Sequence, residues 1–208
     1  MVAASKLPSP SDVACFELVN AANPPQIKSG CITSIAQLED LWRIDKEAYG
    51  EHSLEFEPFL EWWNAYPYGS RCLFLGGNIV ASIGIYPLSQ EQFNGFVNGE
   101  IAEGDLVPCL LNKSDHWYFS GMVILPEYQN RGLARRLLRM GVGGWIRSGH
   151  LEYPAQVCGL AQTEAGRKAL ELMDFKRSKT GSKMPDGLSM YRAIFRGEES
   201  LSYLFRGW

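Results

Sequence analysis

The sequence predicts a mixed α/β fold in which helices pack on one sheet, and three observations carry that prediction. Short apolar runs bounded by glycine and proline alternate with segments whose apolar residues recur every three or four positions, the two periodicities of strand and helix. Two of the strand-like runs are split only by Gly76, Gly77 and Asn78, a hairpin signal. Strand-like and helical segments follow one another in the order β, α, α, β, β, loop, β, α, β, α, β, which is the order of a mixed sheet.

Residues 1–25 contain LPSPS and ANPP around one short apolar run, and proline excludes a sustained helix there, so they are expected to form an arm on the domain. Ile27–Thr33 reads as the first strand. Ser34 with Gln37 three residues on predicts a capping box, opening a helix with Leu38, Leu41, Ile44 and Ala48 on its apolar face. EPFLEWWNAY is a second helical pattern, with Phe59, Trp63 and Tyr66 expected on one face. RCLFLGGNIVASIGIYPL is the hairpin. Residues 89–115 are polar and glycine-rich, read as a short helix and then a loop carrying Glu100, Glu103 and Asp105. WYFSGMVIL is a buried strand stopped by Pro126, and the helix beyond it carries Leu133, Leu137, Met140, Gly144 and Trp145 on one face. Ala155–Ala161 is the next strand, followed by a helix from Thr163 to about Leu172, and Gly187–Phe195 is the last strand. Residues 26–196 are thus expected to be one domain. The tail, residues 197–208, has Leu201, Leu204, Phe205 and Trp208 at helical spacing and is expected to pack on that domain or to pair two copies as a homodimer.

Composition narrows the function classes. The chain has 208 residues with 46% apolar and 21% charged, the balance of an ordinary globular protein. A net charge of -3 argues against a surface built for nucleic acid or an anionic membrane. The five dispersed cysteines lack a CxxC pair, which fits reduced thiols and disfavours a metal site. No apolar run approaches the roughly 18 residues that span a bilayer, and no secretory leader pattern opens the chain, so a cytoplasmic location is expected.

The informative stretch is LPEYQNRGLARRLL, Leu125 to Leu138. After the strand stops, Gly132 permits close backbone approach, and the first N–H groups of the following helix have no partner within it. Arg131, Arg135, Arg136 and Arg139 add charge, and no acid occurs between Tyr128 and Leu151 to neutralise it. A helix start of this kind binds anions, phosphate above all. GxxxxGK followed by Ser or Thr is missing, and GVGG (Gly141 to Gly144) lies inside the helix, so neither a P-loop nor a dinucleotide fingerprint fits.

VILPEYQNRGLARRLL resembles the acyl-CoA motif of the GNAT superfamily of N-acetyltransferases, a strand followed by Q/RxxGxG/A at the opening of a helix, with Gln129, Gly132 and Ala134 at the specified positions. The resemblance runs in order over residues 27–195. It implies a mostly antiparallel central sheet flanked by helices and splayed between the fourth and fifth strands. It also implies acetyl-CoA as co-substrate, its pyrophosphate on the N–H groups of Gln129, Asn130, Arg131, Gly132, Leu133, Ala134 and Arg135, with Arg135 or Arg136 near the 3′-phosphate. The pantetheine arm would lie along the backbone of Met122, Val123 and Ile124 like an added strand, with Val123 or Ile124 N–H as oxyanion donor. Gly121 would mark a bulge that splays the sheet.

The implied reaction is direct attack of a primary amine, on a small molecule or a peptide, at the thioester; a silent acyl-CoA-binding module on the same fold is the alternative. The tyrosine that many members use as thiolate acid has Leu170 in its place here, leaving another group such as Tyr191, or water, or departure of the free anion. Where some members carry a glutamate base, this chain has Tyr118, a poor base at neutral pH; Glu103 and Asp105 just before that strand are the acidic candidates. His116 is a further base candidate. Acceptor contacts are expected from Glu51, Glu55, Glu57, Trp62, Trp63, Tyr66 and Tyr68, since acids among aromatics suit a cationic amine.

Overall fold

The computed structural model describes residues 27–109, 113–161, 163–178, 188–197 and 199. The expected N-terminal arm and nearly all of the C-terminal tail lie outside the described residues. Strand β1 (Ile27–Cys31) enters helix α1 (Ile35–Tyr49) through the expected cap. Ser34 Oγ accepts the Gln37 N–H, while Gln37 Oε1 reaches one residue further back than a capping box requires, accepting from Thr33 N–H at 2.9 Å. Helix α2 (Phe56–Ala65) follows, and its inward residue is Trp62, 2% exposed, with Nε1–H donating to Leu106 O. Of the expected face, Tyr66 is buried and Phe59 and Trp63 lie half-buried against a second apolar cluster, so Trp62 is an addition to it. Trp62 can bury its ring and satisfy its N–H together, which is what a core indole requires.

Strands β2 (Ser70–Leu75) and β3 (Asn78–Pro87) form the hairpin, with Gly76 and Gly77 at φ +60° and +93°, the positive values that a two-residue turn uses. The polar segment holds helix α3 (Gln90–Asn98), capped by Ser89, and a 3₁₀ turn over Glu103–Asp105. Strand β4 (Ser114–Ile124) begins three residues before the apolar run that marked it in sequence. Helix α4 (Leu133–Arg147), strand β5 (Leu151–Ala161), helix α5 (Glu164–Leu172), a two-residue strand β6 (Lys176–Arg177) and strand β7 (Ser189–Phe195) complete the chain order.

The seven strands form one sheet in the order β1-β2-β3-β4-β5-β7-β6, antiparallel throughout except between β4 and β5. Helix α4 packs on β2 and β3, close enough that a Cβ at Gly141 would collide with the Ile83 side chain. Helices α1 and α2 bury a smaller cluster built on Ile32, Leu38, Leu41, Cys72 and Ile79. Trp117 and Tyr118, both fully buried, centre the main core.

One irregularity positions the site. Gly84 pairs with Gly121 and Ile85 with Phe119, so Ser120 has no partner on β3. A bulge of this kind bends its strand and increases the twist. On the other side, β4 and β5 pair from Ser114/Leu151 to Phe119/Gly159, and their pairing ends there, although both strands continue. The sheet opens into a V just where the bulge turns β4 away.

Candidate functional site

The V forms a cleft of about 990 Å³ running from the start of α4, along the open edge of β4, to the inner side of α1. At its outer end the chain leaves β4 through a 3₁₀ turn over Pro126–Tyr128, and Gln129 Nε2–H folds back to donate to Ile124 O at 3.0 Å. Asn130 and Gly132 both take left-handed φ, 60° and 74°, and Gly132 caps α4 with no side-chain bond. The first bond into the helix is Arg136 N–H to Gly132 O, so the N–H groups of Leu133 and Ala134 precede the helical ladder and have no acceptor within α4. Arg135 and Arg139, four residues apart, line the cleft beside them, and Lys168 of α5 lines the facing wall. Arg136 turns away, its Nη2 donating to Ile27 O at 2.8 Å, and Arg131 lies over the Tyr128 ring. Of the two arginines expected near a phosphate, the structure brings Arg135 to the cleft and ties Arg136 to the sheet.

Along the middle, register decides which main-chain groups are available. Val123 pairs with Ser82, and Leu125 N–H donates to Val80 O, so the odd residues of this stretch face β3. Alternation then turns the N–H and C=O of Met122 and Ile124 toward the open side. Of the two expected donors, Val123 is turned to β3 and Ile124 faces the open side, where Met122 joins it. The Val123 side chain still lines the cleft.

The inner end holds two carboxyls and two phenols. Tyr118, fully buried on β4, donates its hydroxyl to Glu103 Oε1 at 2.6 Å. Burial raises the Glu103 pKa to about 7; the Tyr118 hydrogen bond opposes that shift and the nearby Asp45 adds to it. Tyr118 itself is held far above its ordinary range by burial and by the neighbouring Glu103 charge, so its phenol stays neutral. Asp45, on the cleft side of α1, is also raised by burial, although Ser53 Oγ donates to it at 2.5 Å. One turn later, Tyr49 places its hydroxyl 3.1 Å from Met122 O and 3.2 Å from Met122 N. Trp62 and Tyr86 close the wall behind them, edge to face at 5.0 Å.

Chemically, the cleft is polarised. Cations and uncapped N–H groups stand at one end, desolvated carboxyls at the other, and a stretch of β4 with no neighbouring strand on that side joins them. Such a shape suits an elongated ligand with an anionic head, an amide-bearing arm, and a reactive end delivered to a carboxyl whose pKa lies near neutrality.

The structure separates the remaining expectations. Glu103 and Tyr118 come together, whereas Asp105 is exposed on the same 3₁₀ turn, because three residues per turn point neighbouring side chains in different directions. His116 is buried outside the cleft, its Nδ1 2.6 Å from Asp115 Oδ1 and its Nε2 3.2 Å from Gln156 Nε2. Of the expected acceptor residues only Trp62 lines the cleft; Tyr66 and Tyr68 pack with His150 elsewhere. Leu170 reaches the cleft as a buried aliphatic, and Tyr191 does not line it. Asp45 and Tyr49 went unrecognised in the sequence, although their four-residue spacing on a helix was a signal that both face one way.

Comparison with known proteins agrees with this geometry. The family model described as Acetyltransferase (GNAT) family matches residues 35–147, more than half of the chain. No curated protein matches in sequence. Among solved structures, the chain is similar to the diaminobutyrate acetyltransferase EctA from Paenibacillus lautus, in complex with L-2,4-diaminobutyric acid and coenzyme A. The TM-score there is 0.56 at 10% identity, covering 83% of this chain and 96% of that one. It is similar to the NatC complex bound to Gag peptide and CoA, with TM-score 0.58, 12% identity, and coverage of 82% and 98%. It is also similar to the GNAT-like decarboxylase GphF with isobutyryl-CoA, with TM-score 0.59, 13% identity, and coverage of 81% and 99%. At these identities the likeness is one of fold, and the expected mixed sheet with its splay between the fourth and fifth strands is what the structure has. With the motif, the splayed sheet and the family match in agreement, this chain belongs to the GNAT family of acetyltransferases.

Proposed function

We propose that the protein transfers the acetyl group of acetyl-CoA to a primary amine of a small molecule or peptide by direct attack. The observation that carries this reading is the continuity of the cleft from the uncapped start of α4, along the Met122 and Ile124 edge, to Glu103. The N–H groups of Asn130 to Ala134 receive the pyrophosphate, the Gln129 N–H being held by Pro126 O, while Arg135 and Arg139 add charge beside it and the arm pairs with β4. Asp45, Glu103 and Trp62 receive the amine, because carboxyls and an indole face stabilise an ammonium in a desolvated site.

Glu103 acts as the base. A carboxyl titrating near neutrality is ionised in useful amount at pH 7 and still basic enough to take a proton, which typically contributes about 10² to 10⁴-fold. The bound ammonium first gives one proton to Glu103, which releases it to solvent; the neutral amine nitrogen then bonds to the thioester carbon while losing a second proton to Glu103. The carbon–sulfur bond breaks with its electron pair going to sulfur, and the amine's proton balances the thiolate, so the sum is an amide and a free thiol. Tyr118 holds the carboxyl in place through its 2.6 Å hydrogen bond.

Incubation of the protein with acetyl-CoA and a panel of amines and amino-terminal peptides tests this by release of free thiol. Acceptor-dependent release that Gly132→Trp abolishes is expected. Tight binding of acetyl-CoA with no release across the panel would favour the silent module, a reading kept open by Leu170 standing where many members carry a tyrosine.

A further inference from the structure

The Tyr49 hydroxyl does two things at once: it accepts from Met122 N–H at 3.2 Å and donates to Met122 O at 3.1 Å. Met122 is the residue whose main-chain groups face the open side of β4 next to the bulge. Room for this phenol comes from Gly121, where a Cβ would stand 3.1 Å from Tyr49 Oη, tighter than side chains ordinarily tolerate. The bulge at Ser120 and the glycine at 121 thus turn one N–H to the open side and bring one O–H beside it; the two are held by each other and by Met122 O, partners that an entering carbonyl oxygen would replace. We propose that Tyr49 is a second oxyanion donor: the thioester carbonyl oxygen enters beside Met122 and accepts from both the Met122 N–H and the Tyr49 hydroxyl.

Neutral O–H and main-chain N–H groups are the donors such sites use where negative charge develops. Tyr49 suits the role because it keeps its proton. Burial and the nearby carboxyls of Asp45 and Glu103 push its phenol up to about 12, so at neutral pH it donates and does not act as a base. Its position is also built. It ends α1 one turn after Asp45, which Ser53 holds, and Gly50 at φ 60° turns the chain away immediately after it. No proton changes hands at Tyr49 in this account; the hydroxyl stabilises charge on oxygen while the carbon–sulfur bond breaks.

The inference rests on the proposed acetyl transfer, and the experiment separates the two. The probe is acetyl-CoA carrying ¹³C at the carbonyl, its stretching frequency read in wild type and in Tyr49→Phe by isotope-edited infrared difference. Two donors lower the frequency in wild type, and the variant is expected to recover part of that shift. In turnover, Tyr49→Phe should lower kcat about 10²-fold or more with KM for acetyl-CoA changed less than about threefold. Equal carbonyl frequencies overturn the proposal, and so does a variant that turns over normally and binds acetyl-CoA more tightly, the behaviour of a mere plug. Should Tyr49→Phe fail to fold, wild type alone decides: it is expected to bind acetyl-CoA more tightly than S-ethyl-CoA, which has no carbonyl, and equal affinity overturns the proposal. A lowered frequency in wild type without acceptor-dependent thiol release would sink the transferase reading while leaving the carbonyl site intact.

Discussion

Replacing Glu103 with glutamine should make the protein less active and, above neutral pH, more stable. The ordinary carboxyl pKa is 4.5, and burial raises it to about 7 in the folded state. The folded protein therefore keeps a proton on Glu103 to higher pH than the unfolded chain does. Stability from this group is fully present below pH 4.5 and is lost as pH rises through 7. At about 1.4 kcal/mol per pKa unit, a shift of this size amounts to roughly 3 kcal/mol. Glutamine carries no charge at any pH and still offers an oxygen to the Tyr118 hydroxyl. At pH 8 Glu103→Gln should thus melt about 6 to 12 °C above wild type for a domain of this size, and the difference should vanish at pH 4.5. In the thiol-release assay the same variant should lose about 10² to 10⁴-fold in kcat/KM, together with the rise in rate centred near pH 7. A variant that keeps the wild-type pH profile, or that melts below wild type at pH 8, would refute the assignment of Glu103 as a desolvated base.

Four further substitutions probe the cleft and its frame. Tyr118→Phe removes the hydrogen bond that restrains the Glu103 pKa, so the pH–rate profile should move to higher pH, at a stability cost of about 1 to 3 kcal/mol for the carboxyl left unpaired. Arg135→Ala should raise KM for acetyl-CoA severalfold, the effect shrinking as salt screens the exposed charge; Arg136→Ala should leave KM unchanged and lower the melting temperature, because that guanidinium holds Ile27 O. Leu170→Ala deletes a side chain 2% exposed and should cost about 2 to 5 kcal/mol in denaturant unfolding.

The end of the cleft at the start of α4 was legible in the sequence because it is local. Strand, turn, glycine and helix start are contiguous from Gly121 to Leu138, and their main-chain geometry follows from spacing alone. Register was not legible: only pairing with Ser82 and Val80 shows that Val123 faces β3 and Met122 faces the cleft. The acceptor half is assembled from distant segments. Tyr49 meets Met122 across 73 positions, and Glu103 meets Tyr118 across 15, so each residue could be singled out but the pairs could not. Trp62 was missing from the apolar face read for α2 for a related reason. Aromatic residues at helical spacing carry no mark of which one the sheet will bury, and Trp62 won because Leu106 O was there to accept its N–H.

In the proposed function, one cleft holds coenzyme A along β4 and aims its sulfur at Glu103. A crystal structure of the protein with coenzyme A tests that most directly. It should show the pyrophosphate on the main-chain N–H groups between Gln129 and Arg135, and the pantetheine arm hydrogen-bonded to Met122 or Ile124 with its sulfur nearest Tyr49, Glu103 and Tyr118. Coenzyme A bound away from the start of α4, or an arm making no main-chain bond to β4, would contradict it.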